Sequence, residues 1–156
     1  TDEKCQKCIA LGATDAINYK TTDFEKYFED KKIKLDIILD MIGGSYLKKN
    51  LKILNFKGRL TYIAALESIK SEINLLYVMT KQIKISGSTL RSRTPEEKGK
   101  IVNQVLKNIW PLIEEGNYKP TIYQTFKMED VNLAHKLMES SNHIGKVVLD
   151  IKGGQS

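Results

Sequence analysis

The chain has 156 residues, 41% hydrophobic and 28% charged, with two cysteines, three prolines and a formal net charge of +6. That length suits one domain with its own core. No apolar run reaches the ~18–20 residues of a membrane span, no signal peptide opens the chain, and two cysteines do not make a disulfide framework, so a reducing, cytoplasmic setting is expected.

In chain order, residues 1–11 read as a helix with Cys5, Cys8 and Ile9 on one inward face and Gly12 placed to end it. Asp15–Tyr19 reads as a short strand. Phe24, Tyr27 and Phe28 lie at i, i+3 and i+4 behind Thr22 and Asp23, a second helix. Residues 35–44 form an apolar run broken by Asp36 and Asp40 and closed by Gly43-Gly44. This run reads as a central strand covered on both faces, the signature of a parallel sheet. Ser45 then caps a helix with Leu47, Leu51 and Leu54 inward.

Lys57-Gly58 turns the chain into a strand over 59–64. A helix over 74–80 turns Leu75, Leu76, Val78 and Met79 inward, and residues 83–88 read as strand again. Strand starts near 36, 59 and 83 with a helix in each gap are repeated β-α winding, hence a mostly parallel sheet.

Thr94-Pro95-Glu96-Glu97 is a capping box with proline at the first helical position. It opens the longest helix, with Ile101, Val102, Val105, Leu106, Ile109 and Ile113 inward, a kink at Pro111 and Gly116 at its end. A strand over 122–126, a helix over 129–140 and a strand over 146–151 follow, and 153–156 read as a loose tail. In the helix over 129–140, Val131, Ala134, Leu137 and Met138 face inward.

Ligands of open parallel sheets sit beyond the carboxyl ends of the strands, which makes Gly43-Gly44 a candidate ligand turn. The ten glycines nevertheless include neither G-x-G-x-x-G nor G-x-x-x-x-G-K-[ST]. Cys5-x-x-Cys8 has the spacing of a zinc or redox pair. With no second Cys/His pair and both thiols on an inward face, the two read as small core residues, and no metal site is expected. Asp36 and Asp40 share one strand face and read as structural. His135 reads as a half-exposed helix residue, and no Ser/His/Asp order with a nucleophile elbow is present.

Four segments occur in one order and at one spacing: Leu11-Gly12-Ala13 with Ile17-Asn18-Tyr19; Asp40-Met41-Ile42-Gly43-Gly44-Ser45-Tyr46; Thr89-Leu90-Arg91-Ser92-Arg93; and Ala134-His135-Lys136 with Ile144-Gly145-Lys146-Val147-Val148-Leu149. Together they resemble the zinc-independent NADPH:quinone oxidoreductases of the medium-chain dehydrogenase/reductase superfamily, above all the branch induced by a tumour suppressor in animals. The resemblance covers residues 1–151.

It implies an α/β fold: an incomplete Rossmann-like, doubly wound parallel sheet over 1–118, then over 119–156 the segment returning to a GroES-like catalytic domain. The first βα unit with its glycine loop, and the second strand, would precede Thr1. It further implies a homodimer, NADPH as cofactor, and hydride transfer to a quinone or similar conjugated carbonyl. By match to the family, Lys4 and Tyr19 lie near the adenosine 2′-phosphate. A basic residue after the second strand accommodates that phosphate, whereas an acidic one selects NAD; Asp2 and Glu3 keep NAD open. Ile42, Gly43, Ile63 and Ala64 match backbone contacts along the riboses and nicotinamide, and Thr89, Leu90 and Arg91 the segment beside the nicotinamide. Lys146 matches a lysine close to the cofactor, and His143 stands where relatives often carry asparagine. No residue is assigned as acid, base or nucleophile.

An enoyl or 2-alkenal reductase of the same superfamily is the neighbouring reading. A nucleic-acid-binding or crystallin-like structural role is the alternative from another class. The charge permits nucleic acid as a partner, but the lysines are scattered over most predicted helices and no aromatic platform interleaves with a basic stripe.

Overall fold

Thr1 begins the first helix by a local bond: its hydroxyl oxygen accepts from the Lys4 backbone N–H at 3.3 Å, capping α1 (Asp2–Ala10). Gly12, at φ +103°, then donates its N–H to the Ile9 carbonyl and ends the helix as expected. The computed structural model describes residues 1–151, so the tail expected over 153–156 lies outside the described residues. Its chain divides into two compact units, Thr1–Thr94 and Pro95–Ser156.

In the first unit, Asp23 accepts from the N–H groups of Glu25 and Lys26 and starts α2 (Phe24–Asp30). β1 (Leu35–Asp40) leads into α3 (Tyr46–Ile53), β2 (Leu54–Tyr62), α4 (Leu75–Lys81) and β3 (Lys84–Gly87). The strands lie in the order β1-β2-β3, all parallel. Lys57, at φ 60°, and Gly58 make a bulge, and the β1–β2 ladder resumes at Arg59, the expected strand start. Leu47, Leu51, Leu54, Leu60 and Ile83 form the core, with Ile38, Tyr62, Tyr77 and Val78 packed against it. Burying each such leucine stabilises the unit by about 1.5–3 kcal/mol.

Several expectations fail here, each for want of a neighbour. Asp15–Tyr19 is not a strand, because among the described residues no strand lies beside it to share a ladder. Side chains fix it instead: the Tyr27 hydroxyl donates to Asp15 at 2.6 Å, and Lys31 donates to the same carboxylate at 3.2 Å. These two bonds hold the Asp15 carboxyl below its usual range. Among the described residues β1 lies at the edge of its sheet, not at the centre as expected. Only one of its faces is covered, and Ile37 and Leu39 remain 57% and 63% exposed on the other. The Cys5/Cys8 face of α1 is not core either, since Cys5 is half-buried and Cys8 exposed. In α4, Tyr77 and Val78 turn inward, while Leu75, Leu76 and Met79 are exposed.

Lys81 closes α3. Its ammonium donates to the carbonyls of Leu51, Lys52 and Leu54 at 2.8–2.9 Å, satisfying groups that a helix end leaves open. Burial, and then the neighbouring Lys34 charge, push its pKa down. Lys81→Met is expected to cost about 1–3 kcal/mol, because the charged donors are lost while most of the stem packing is kept. A urea melt followed by tyrosine fluorescence checks this, and an unchanged midpoint would refute the capping role.

In the second unit, α5 (Pro95–Asn108) stops where a single kinked helix was expected to continue. The chain breaks at Ile109 and restarts as α6 (Trp110–Glu114) with Pro111 in its first turn, because proline cannot donate the bond that would continue α5. The expected inward face of α5 is open: Val102, Val105, Leu106 and Ile109 are all exposed. β4 (Ile122–Lys127), a 3₁₀ turn over Met128–Asp130, α7 (Val131–Ser140) and β5 (Lys146–Asp150) make a parallel β-α-β unit. Ala134 of α7 is buried, but Met138 is exposed, against expectation.

Candidate functional site

β1, β2 and β3 run parallel and end together, so the residues just past them form one crest along the sheet. Ile42 and Gly43 follow β1, Ile63 and Ala64 follow β2, and Thr89, Leu90 and Arg91 follow β3. Backbone bonds lace the three exits: the Ile63 N–H donates to the Asp40 carbonyl at 2.9 Å, and the Ser88 N–H donates to the Tyr62 carbonyl at 2.9 Å. Seven of the eleven residues matched to cofactor contacts are thereby brought to one edge.

The turn after β1 is shaped by Asp40, whose side chain is buried. One carboxylate oxygen accepts the N–H groups of Ile42 at 2.6 Å and Gly43 at 3.2 Å; the other accepts the Asn50 side-chain amide at 2.8 Å. The structural reading of Asp40 and Asp36 stands, since Asp36 accepts from Asn55 at the other end of the strand. Tyr62, the register partner of Asp40, has its phenol pushed up in pKa by burial and by the Asp40 charge. Its hydroxyl is buried without a hydrogen-bond partner among the described residues.

A loop over 63–71 is laid onto this turn. Leu66 and Glu67 donate their N–H groups to the carbonyls of Met41 and Ile42 at 3.0 and 2.9 Å, the Gly44 N–H donates to the Ser68 carbonyl at 3.1 Å, and the Ser71 hydroxyl donates to the Gly44 carbonyl at 2.8 Å. Gly43 sits at φ +69°, and a Cβ on it would stand 2.7 Å from the Ser68 carbonyl oxygen, so only glycine permits this approach. Ser45 occupies the N-cap of α3 but makes no side-chain cap bond. The Ser45 hydroxyl is turned instead to the Glu67 carboxylate, which accepts it at 3.0 Å and the Ser45 N–H at 2.6 Å. Glu67, Ser68, Ser71 and Asn50 were not legible as site residues, because each acts across a gap of ten or more positions with no motif spacing.

Lys4 and Tyr19 lie elsewhere in the unit. The Asn18 amide donates to Asp2 at 2.9 Å, which ties the segment carrying Tyr19 to the first turn of α1, where Lys4 stands. Beside this tie, Asp2, Cys5, Ile9, Ile17, Asn18 and Tyr27 help line an open cavity of about 580 Å³. A smaller one of about 230 Å³ is walled by Tyr19, Lys20, Tyr46 and Lys49. Lys49 is paired with Asp23 at 2.5 Å, which holds the Asp23 carboxyl below its usual range.

His143 and Lys146 belong to the second unit. His143 meets the Tyr123 ring edge-on at 6.4 Å between centroids, and its Nδ1 is buried with no partner among the described residues. Gly145, at φ +104°, brings the chain against Thr121, so that the Lys146 N–H donates to the Thr121 carbonyl at 2.8 Å. Among the described residues no group of three or more His, Cys, Asp or Glu could hold a metal, and no helix is long and apolar enough to cross a membrane.

The profile of the family described as zinc-binding dehydrogenase matches residues 11–149. A quinone oxidoreductase from Lama guanicoe is 31% identical over 157 residues, covering 97% of this chain and 45% of its own length. Among solved structures, one described as a short chain alcohol dehydrogenase from E. coli CFT073 complexed with NADH is 25% identical with a TM-score of 0.78, covering 97% of this chain and 42% of that one. The apo form of JamJ enoyl reductase is also 25% identical, with a TM-score of 0.75, covering 96% and 45%. The chain spans less than half the length of the curated relatives it matches.

Proposed function

The chain belongs to the zinc-binding dehydrogenase family, and on that premise we propose that it forms a cofactor-holding part of an NADPH-dependent oxidoreductase. The observation that carries this reading is the crest at which three parallel strands end together, with Ile42-Gly43, Ile63-Ala64 and Thr89-Leu90-Arg91 side by side. Such an edge lies at the position where open α/β sheets bind nucleotides, and small residues there let a flat ligand approach the chain closely. The residues fit the cofactor: Gly43, where no side chain could stand, keeps the turn after β1 low.

On this reading Ile42, Gly43, Ile63 and Ala64 hold the riboses and Thr89–Arg91 flank the nicotinamide; Lys146 and His143, in the second unit, are carried as cofactor contacts by their match to the family alone. Lys4 and Tyr19 take the 2′-phosphate. When bound, the reduced nicotinamide supplies hydride, and the acceptor is a quinone or a similar conjugated carbonyl. The chain's own residues bind, orient and exclude water. Residues 1–118 are assigned to the nucleotide-binding domain and 119–151 to the return into a catalytic domain, in a cytoplasmic homodimer. The enoyl-reductase reading is supported by the likeness to JamJ enoyl reductase and differs in the acceptor alone.

Because the sequence carries no glycine-rich phosphate loop, the 156-residue chain by itself is expected to bind NADPH weakly and to reduce no quinone. Micromolar affinity by calorimetry would overturn that expectation. In an enzyme that joins this chain to the remainder of the family's length, NADPH oxidation is expected with quinones in preference to enoyl thioesters. Lys4→Glu in that enzyme should shift the preference from NADPH toward NADH by about tenfold or more, the scale of one charge-assisted phosphate contact. The ratio of kcat/KM for the two cofactors reads this directly, and an unchanged ratio would remove Lys4 from the site.

A further inference from the structure

Cys5 and Cys8 stand three residues apart on α1, and neither is core: Cys5 is half-buried and Cys8 exposed. Cys5 also lines the open cavity of about 580 Å³, so both sulfurs are within reach of a small reagent from solvent. Positions i and i+3 of a helix share a face, with Cβ atoms about 5–6 Å apart. A disulfide needs about 3.5–4.5 Å between Cβ atoms, so the bond is a small local distortion away. The turn that would have to tighten is short and held at its ends. The Cys5 N–H donates to the Thr1 carbonyl at 3.0 Å, and the Cys8 carbonyl accepts from Leu11 at 3.1 Å and Ala13 at 3.0 Å.

We propose that Cys5 and Cys8 form a reversible dithiol–disulfide site whose oxidation distorts α1. The oxidant is a low-molecular-weight disulfide of the glutathione type. The exposed Cys8 thiolate attacks one sulfur of that disulfide; the S–S bond breaks, a new S–S bond forms to Cys8, and one glutathione thiolate leaves and takes up a proton. Cys5, after giving its proton to solvent, then attacks the Cys8 sulfur and expels the second glutathione. Two protein thiols are oxidised, one glutathione disulfide is reduced to two thiols, and protons balance. Closing the bond pulls the middle of α1 together and disturbs the one Cys8 carbonyl that both Leu11 and Ala13 bond to. Part of the helical signal is lost with it.

The experiment treats the 156-residue chain with glutathione disulfide, quenches with iodoacetamide, and reads intact mass and far-ultraviolet circular dichroism. The expected product is a monomer lighter than the reduced chain by two hydrogen atoms, alkylated at neither cysteine, with a reduced helical signal that dithiothreitol restores. Cys5→Ser is expected to stop at one glutathione adduct on Cys8, with its helical signal kept. A wild-type chain that ends with two glutathione adducts, as a disulfide-linked dimer, or with both thiols still alkylated would overturn the proposal. So would an internal disulfide that leaves the helical signal unchanged.

Discussion

Asp40→Ala is expected to cost the first unit about 3–5 kcal/mol, a large share of the stability of an ordinary domain. The side chain is buried, and three donors converge on it: the N–H groups of Ile42 and Gly43 and the amide of Asn50. Alanine removes the acceptor of all three, at about 1–3 kcal/mol for each buried donor left unmade. Asp40→Asn separates the hydrogen bonds from the charge. Its amide oxygen still receives the two backbone groups, and Asn50 can turn its own oxygen toward the new amide, so the loss is expected near 1 kcal/mol. Hydrogen exchange at the amides of β1 and β2 distinguishes the two variants. Equal protection in Asp40→Ala and the wild type would show that the turn holds its shape without the carboxylate.

Gly145→Ala is expected to damage the second unit by about 3 kcal/mol or more. The backbone there stands at φ +104°, which a side-chain-bearing residue adopts only under strain, and a Cβ would lie 2.3 Å from the Thr121 carbonyl oxygen. That oxygen is backbone and already receives the Lys146 N–H, so relief requires the start of β5 to move away from β4. Gly12→Ala is the control: its φ is +103°, but nothing stands within 4 Å of the added carbon. It should lose about 1–2 kcal/mol from the conformational term alone. Trp110 lies in the second unit and reports its unfolding in urea by fluorescence. A Gly145→Ala midpoint equal to the wild type would show that Thr121 yields freely.

The winding was legible because it rests on local signals. Capping by Asp23, the helix stop at Gly12, the apolar run of β1 and the regular strand spacing each act within a few residues, and the structure follows them. Burial was less legible. Apolar periodicity marks which side of an element can be covered, not whether a neighbour covers it; Ile37, Leu39 and Val102 are exposed for that reason, and Cys8 with them. The strand over Asp15–Tyr19 failed on the same ground, since a strand exists only with a partner. At the candidate site, the glycine turn stood out in sequence, whereas the bonds from Asn50 and Glu67 that fix it span ten and twenty-two positions.

The Glu67 carboxylate has a consequence for the polarity of whatever lies along the crest. A helix start draws anions, and α3 begins at the crest, but the N–H of its N-cap residue Ser45 is already engaged by this internal negative charge. A phosphate brought to the same place would meet the like charge of Glu67, weakened by solvent at this exposed position. On the proposed reading, a dinucleotide along the crest would keep its phosphates away from Glu67, and its direction would follow from that.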